Sequence, residues 1–402
     1  MNAPTPTLPV FMDNHSTTRV DPRVMDAMQP YFTEKYGNAA SVNHSFGWEA
    51  ADAVEVARAQ VARLLSVSPK QVIFTSGATE ANNLALKGVM HAAARAQPKP
   101  AADGDRAQLI TTAAEHRSVL DPAKRLGREG HRVSIVPVDE HGRVGGRQIA
   151  DEITPSTQLV SVILANNEVG SINPVAEIAA ACRERGVLFH TDAVQAAGKI
   201  PLLLDRWGID LASITAHKLY GPKGVGAIVV RRGAKKFRLD PQLDGGGHER
   251  GIRSGTLPVP LIVGFGKACE LALELMDEES RRIAALRDRL WQGLAAEIDG
   301  ILLNGHPGER LSGNLNVSIE AVDGEALMTS LNQIAVSTGS ACTSADPEPS
   351  HVLRAMGRSD ALTRASLRFG LGRFNTPDEV EFAIGYVAAA VRRLRKLSAR
   401  RR

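Results

Sequence analysis

Several polar residues stand just behind short apolar runs, and their types and order limit the chemistry open to this chain. The run "VLFHTDAVQ" carries Asp192 and Gln195, and "DLASIT" leads through Thr215 into "AHKLYGPKG", which holds His217 and Lys218. "QVIFT" is followed by "SGATEANNLALKG", a glycine turn feeding a helical pattern that begins at Ala78 and Thr79. A helix start with free N–H groups and a hydroxyl suits a phosphate. The spacing G-x-x-x-x-G-K-[ST] is missing, so this is not a Walker loop. His116 follows "QLITTA", and Asn167 follows "VSVILA". Taken singly, each has a plain structural role: a capped helix, a packed histidine, an Asp cap, a surface lysine. Taken together they supply what pyridoxal 5'-phosphate (PLP) needs. A lysine forms the Schiff base, a carboxylate keeps the pyridine nitrogen protonated, and helix-terminal donors hold the phosphate. On this reading His116 faces the ring and Gln195 reaches its hydroxyl.

A second chemical feature is "STGSACTSADP" (337–347), where Cys342 sits among small polar residues with nothing apolar to bury it. A free thiol of pKa ~8.5 is only a few per cent thiolate at neutral pH, so a reactive cysteine needs local activation. Cys182 ("AAACRERG") and Cys269 ("GKACELA") lie on helical patterns and read as structural. Three scattered cysteines, with no C-x-x-C pair and no H-E-x-x-H, point to a reducing compartment and no structural metal.

The elements that must position these groups follow from periodicity. Residues 49–66 place Ala50, Val54, Ala57, Val61, Leu64 and Leu65 at helical spacing. Apolar runs at 71–75, 108–113, 132–138, 158–165, 187–192, 210–215 and 225–232 read as strands. Several are continuous rather than alternating, as in central strands covered on both faces. Helical stretches such as "PVAEIAAACRERG" separate most of them, which predicts an α/β domain with a largely parallel sheet. In such sheets, ligands bind outside the carboxyl ends of the strands. The Ala-, Pro- and Asp-rich stretch 91–107 reads as a surface loop. From about 259 a long helical pattern leads to "GNLNVSI", "IAVST" and "RASLRFGLG", predicting a smaller α+β domain.

The motifs "HTDAVQAAGK", "HKLYGPKGVGA", "GGGHERGIRSGTLP" and "GSACTS" resemble those of the cysteine desulfurases, a class V branch of the fold type I PLP enzymes. The likeness runs nearly collinearly from "MDNHSTTRVDPRV" (12–24) through "SLRFGLGRF" (366–374). It implies a mostly parallel seven-stranded sheet in a large PLP-binding domain at 25–265. The smaller α+β domain is then built from 1–24 and 266–402 and carries the catalytic-cysteine loop. It also implies a homodimer. Residue by residue, Lys218 is the Schiff-base lysine, Asp192 the partner of the pyridine nitrogen, and His116 the residue stacked on the ring. Gln195 meets the phenolic oxygen. The helix start at Ala78 and Thr79, with Thr215 and His217, holds the phosphate, and Thr256 reaches in from the other subunit. Asn167 and Arg368 grip the substrate carboxylate, a role suited to arginine's planar fork. Cys342 accepts sulfur from L-cysteine as a persulfide and passes it to an acceptor protein such as an iron–sulfur scaffold, or into thiolation.

Two rivals share the fold. A selenocysteine lyase uses the same ring chemistry but need not store sulfur on a cysteine, which the "GSACTS" loop favours. A catalytically silent PLP-fold interaction protein should have lost Lys218, Asp192 or Cys342, and all three are present. "DNHSTT" departs from many relatives at His15 and Ser16. The chain ends at "RRLRKLSARRR", without the docking tail usual in housekeeping members, so the acceptor stays unnamed. With 402 residues, two domains are expected. A net charge of +4 from 48 basic and 44 acidic residues argues against a dedicated nucleic-acid binder. The basic end reads as a solvated helix terminus. The absence of a signal-like start and of any eighteen-residue apolar run leads to the expectation of a soluble, cytoplasmic protein.

Overall fold

The computed structural model describes residues 6–96, 106–231, 237–338 and 349–399. Twelve strands are present among them. The central sheet contains β2 (Val72–Thr75), β3 (Gln108–Thr112), β4 (Arg132–Val136), β5 (Thr157–Ser161), β6 (Leu188–Asp192), β7 (Leu211–Thr215) and β8 (Gly226–Val230); β1 (Val10–Phe11) lies outside it. Their order across the sheet is β2-β8-β7-β6-β5-β3-β4. β8 pairs antiparallel with β2 and β7, and the remaining pairs are parallel. This is the seven-stranded, mostly parallel α/β sheet expected from the continuous apolar runs. β2, β3, β6 and β7 are buried at every position, because helices cover both faces.

All strands except β8 run the same way, so β2, β3, β5, β6 and β7 deliver their following residues to one edge of the sheet. That edge receives Ala78, His116, Asn167, Asp192 and Lys218.

A second sheet has the order β12-β10-β9, all antiparallel, from β9 (Ile301–Asn304), β10 (Asn314–Ile319) and β12 (Ser366–Gly370). β1 pairs in parallel with β11 (Ile334–Ala335), and Asp13 bridges to Gly370. The chain's beginning is thereby stitched to its end, and Val10 and Met12 join the apolar core of this smaller sheet. Helix Val259–Glu297 connects the two layers, and the 265/266 boundary read from the sequence falls inside it.

Three sequence expectations are corrected. The stretch 91–107 is not wholly a loop: helix Ala78–Ala96 continues through "HAAARA", a run of strong helix formers, while residues 97–105 lie outside the described residues. The strand expected at 158–165 ends at Ser161. Only Ile334 and Ala335 of "IAVST" are in a strand.

Candidate active site

A cavity of about 560 Å³ opens at the carboxyl edge of the central sheet. Ala78, Thr79, His116, Asn167, Asp192, Gln195, Thr215, His217, Lys218 and Arg368 all line it. Of the other two residues singled out from sequence, Thr256 is exposed and absent from this lining. Cys342 lies outside the described residues.

The floor near β2 and β7 is a set of donors. Helix Ala78–Ala96 begins at the cavity, and first-turn N–H groups of a helix lack intrahelical acceptors. Gly77 takes φ +153°, and a Cβ on Gly226 would fall 2.7 Å from the Gly77 Cα. A glycine on β8 therefore lets the turn lie flat against the sheet. The Thr215 hydroxyl donates to the Val225 carbonyl at 3.1 Å, and His217 Nδ1 lies 3.1 Å from Thr17 Oγ1. Burial first, and then the neighbouring Lys218 charge, push the His217 pKa down to about 4, so this imidazole is neutral at physiological pH.

The Asp192 carboxylate is 3% exposed. It accepts from the Val194 N–H at 3.0 Å and from Asn82 Nδ2 at 2.8 Å, and no cation among the described residues pairs with it. Asn82 also donates to the Ser118 hydroxyl, which lies 2.8 Å from His116 Nδ1. The Ser118 N–H donates to the same nitrogen at 3.1 Å, so Nδ1 carries the lone pair and Nε2 the proton. Burial lowers the His116 pKa, with Asp192 opposing.

Lys218 Nζ donates to the carbonyls of His15 and Ser16, each at 2.5 Å. Arg368 is 2% exposed. It donates through Nη1 to the Asn167 carbonyl at 2.9 Å and through Nη2 to Asp13 Oδ1 and Ser16 Oγ at 2.9 and 2.7 Å, while its Nε has no partner. The guanidinium is thus fixed by protein oxygens at the edge of the cavity.

The class-V aminotransferase family model matches residues 10–382. The chain is 52% identical over 391 residues to the cysteine desulfurase IscS of Anaeromyxobacter dehalogenans (strain 2CP-C), covering 97% of this chain and 94% of that protein. It is 47% identical over 393 residues to the cysteine desulfurase IscS of Rickettsia felis (strain ATCC VR-1525 / URRWXCal2), covering 98% and 93%. A solved NifS-like protein superposes with a TM-score of 0.86 at 38% identity, covering 96% of this chain and all of that one. The chain belongs to the cysteine desulfurase family, within the class-V aminotransferases.

That family is PLP-dependent, and the residues of this cavity fit the cofactor. A buried carboxylate without a cation is costly to fold around unless something positive meets it. A pyridinium nitrogen would supply that charge. The same cavity offers an amine at Lys218 and a helix start for a phosphate. Sequence reading missed several residues that line or brace this cavity. Ser16 and Thr17 line the cavity, Asp13 holds Arg368, Asn82 and Ser118 orient Asp192 and His116, and Lys199 donates to Gln195. The only sequence signal for the first group was the unusual "DNHSTT" itself. Among the described residues no helix is long and apolar enough to cross a membrane.

Proposed function

We propose that this protein is a PLP-dependent cysteine desulfurase that converts L-cysteine to L-alanine and leaves the sulfur on Cys342 as a persulfide. The observation that carries the reading is the buried Asp192 carboxylate, with no salt bridge among the described residues, in one cavity with Lys218 and a helix start. PLP, when bound, acts as an electron sink for the substrate Cα–H bond. Asp192 would hold the pyridine nitrogen, His116 the ring face, and Gln195 the phenolic oxygen. Ala78, Thr79, Thr215 and His217 would hold the phosphate. Arg368 and Asn167 bind the substrate carboxylate and set which face of Cα meets Lys218. Lys218, as a neutral amine, takes the Cα proton. The Cys342 thiol becomes Cys–S–SH as the substrate C–S bond is replaced by C–H, so thiol plus cysteine gives persulfide plus alanine. The cysteine sulfur is oxidised to sulfane level, and the substrate β-carbon is reduced to a methyl.

We further propose that the enzyme is a cytoplasmic homodimer of two-domain subunits, with domains divided as the sequence suggests. Thr256 would complete the partner's phosphate site. Phe32, Tyr36, Val42, Phe46 and Trp48 are 47–74% exposed within one segment, an apolar surface of the kind that marks subunit contacts. The persulfide then passes to an acceptor protein such as an iron–sulfur scaffold. Incubating the purified protein with L-cysteine should yield alanine and a 32 Da mass gain (about one sulfur) on the Cys342 peptide. Cys342→Ser should retain the cofactor absorbance and lose both products. Alanine release by Cys342→Ser at the unaltered rate defeats the reading.

A further inference from the structure

Lys199 follows β6 in the motif "QAAGK", and nothing in the reaction described above uses it. Its Nζ donates to Gln195 Oε1 at 3.1 Å. His15 Nδ1 lies 2.9 Å from the same oxygen, which can only accept, so Nδ1 carries the proton. On the other side Gln195 Nε2 donates to the His15 carbonyl at 2.9 Å. These three contacts agree on one orientation of the amide. Turning it over would set an NH2 group against an ammonium and an N–H, and a carbonyl against a carbonyl. One Nε2 hydrogen is spent on His15. The other has no acceptor among the described residues, and Gln195 lines the cavity.

We propose that Lys199 is a positioning residue of the cofactor site: with His15 it fixes the Gln195 amide so that its remaining N–H is presented to the cavity, where it meets an oxygen acceptor of the cofactor ring. This rests on reading the cavity as a PLP site. A flipped amide would offer a carbonyl oxygen to that ring oxygen, which is repulsive. A methyl-ended side chain at 199 could neither bond Oε1 nor resist the flip.

Lys199 has a second effect through its charge. The charged and titratable groups around it are His15 on the N-terminal segment, Lys218 behind β7 and Arg368 on β12. Glu279 lines the small internal cavity that Lys199 shares with Lys218, but it is engaged by Arg373 at 2.5 Å. Tyr220 lines it too, with burial pushing its pKa up to about 12, so it is uncharged. Lys199 therefore faces mainly positive neighbours, and burial followed by Lys218 pulls its own pKa down to about 7. Where Lys199 is charged it opposes a proton on Lys218, and removing it raises the proton affinity there.

The test uses cofactor-loaded protein and two readouts: cofactor affinity, and the pH midpoint of the cofactor's visible absorption. Lys199→Met should weaken cofactor affinity roughly 3- to 10-fold, the worth of one net hydrogen bond. It should also move the midpoint up by about one pH unit, as expected for losing a nearby charge in a partly shielded site. Lys199→Arg, which keeps donor and charge, should restore both. In a Gln195→Leu background, Lys199→Met should cause no further affinity loss, because no amide remains to be oriented, while the midpoint shift persists. If Lys199→Met does not fold, Lys199→Ala, beside a cavity with room for about one water, takes its place. Unchanged affinity in the folded variant, or an undiminished loss in the Gln195→Leu background, overturns the proposal. Absence of any visible cofactor band in the unaltered protein would instead defeat the PLP reading itself.

Discussion

At the scale of single residues, this site is built from groups whose charge the fold decides. Glu115 is fully buried and accepts from the Thr112 hydroxyl and the Ile163 N–H at one oxygen, while its other oxygen has no partner. Burial raises its pKa to about 8. A folded pKa above the ordinary carboxyl value favours folding with the proton on. That contribution is complete below about pH 4.5 and is lost as pH rises toward 8. Glu115→Gln keeps the two accepted bonds and never ionises. Its melting temperature should therefore exceed that of the unaltered chain by roughly a few degrees at pH 8.5 and match it near pH 5; an equal gap at both pH values refutes the assignment. Lys218→Ala, by contrast, removes the proton acceptor, so L-cysteine turnover should fall by at least about a thousandfold; ordinary turnover would sink its role. Lys218 and Asp192 were legible in the sequence because Asp192 closes the apolar run of β6 and Lys218 comes three residues after β7. Lys199 and His15 were not. Their meaning lies in contacts with Gln195 and Lys218, and His15 reaches these across 180 to 203 positions of chain, which no local pattern encodes.

At the scale of elements, strand identity was readable and strand ends were not. The apolar run 158–165 predicts one strand, yet β5 stops at Ser161. Beyond it, the backbone still donates to β6 through Val162 and Leu164, but the outward groups of Ile163 take side-chain partners instead of a strand: its N–H donates to Glu115 Oε1 and its carbonyl accepts from Asn173 Nδ2, both at 2.8 Å. The sheet opens where Ile163 and Asn167 reach the cavity. Polar residues far along the chain set that opening, so hydrophobicity alone overshoots it. The long helix makes a related point. Gly264 and Gly266 cost helix propensity, but a Cβ on Gly266 would sit 2.6 Å from the Ala57 Cα of helix Ser45–Leu64. The glycine exists to let the two backbones meet. Gly266→Ala gains about 1 kcal/mol of propensity and should nonetheless lower the melting temperature, because a backbone must move. A rise in melting temperature would show that this contact gives way freely.

At the scale of the molecule, the two chain ends are stitched together by β1, β11 and the Asp13–Gly370 bridge, and Arg368 ties that seam to Asn167. The site therefore depends on the whole chain, and in the proposed homodimer the same logic would extend past one subunit. Thr256 is exposed, yet the family likeness gives it a phosphate, and a polar side chain cannot hold a ligand it does not reach. A second copy would bring it to one. The segment 32–48 would offer the surface for that copy: Phe32 is 57% and Val42 74% exposed. Covering such residues removes apolar area from water, worth roughly 25 cal/mol per Å². An aspartate or glutamate at both positions would have to be buried unpaired. Phe32→Glu with Val42→Glu should leave the circular dichroism of the subunit intact, because both side chains already face solvent. It should shift the light-scattering mass from about twice 43.0 kDa toward 43.0 kDa and weaken cofactor retention in parallel, since each phosphate site loses its borrowed hydroxyl. Unaltered protein that is fully active at the mass of one subunit would break the link between assembly and site.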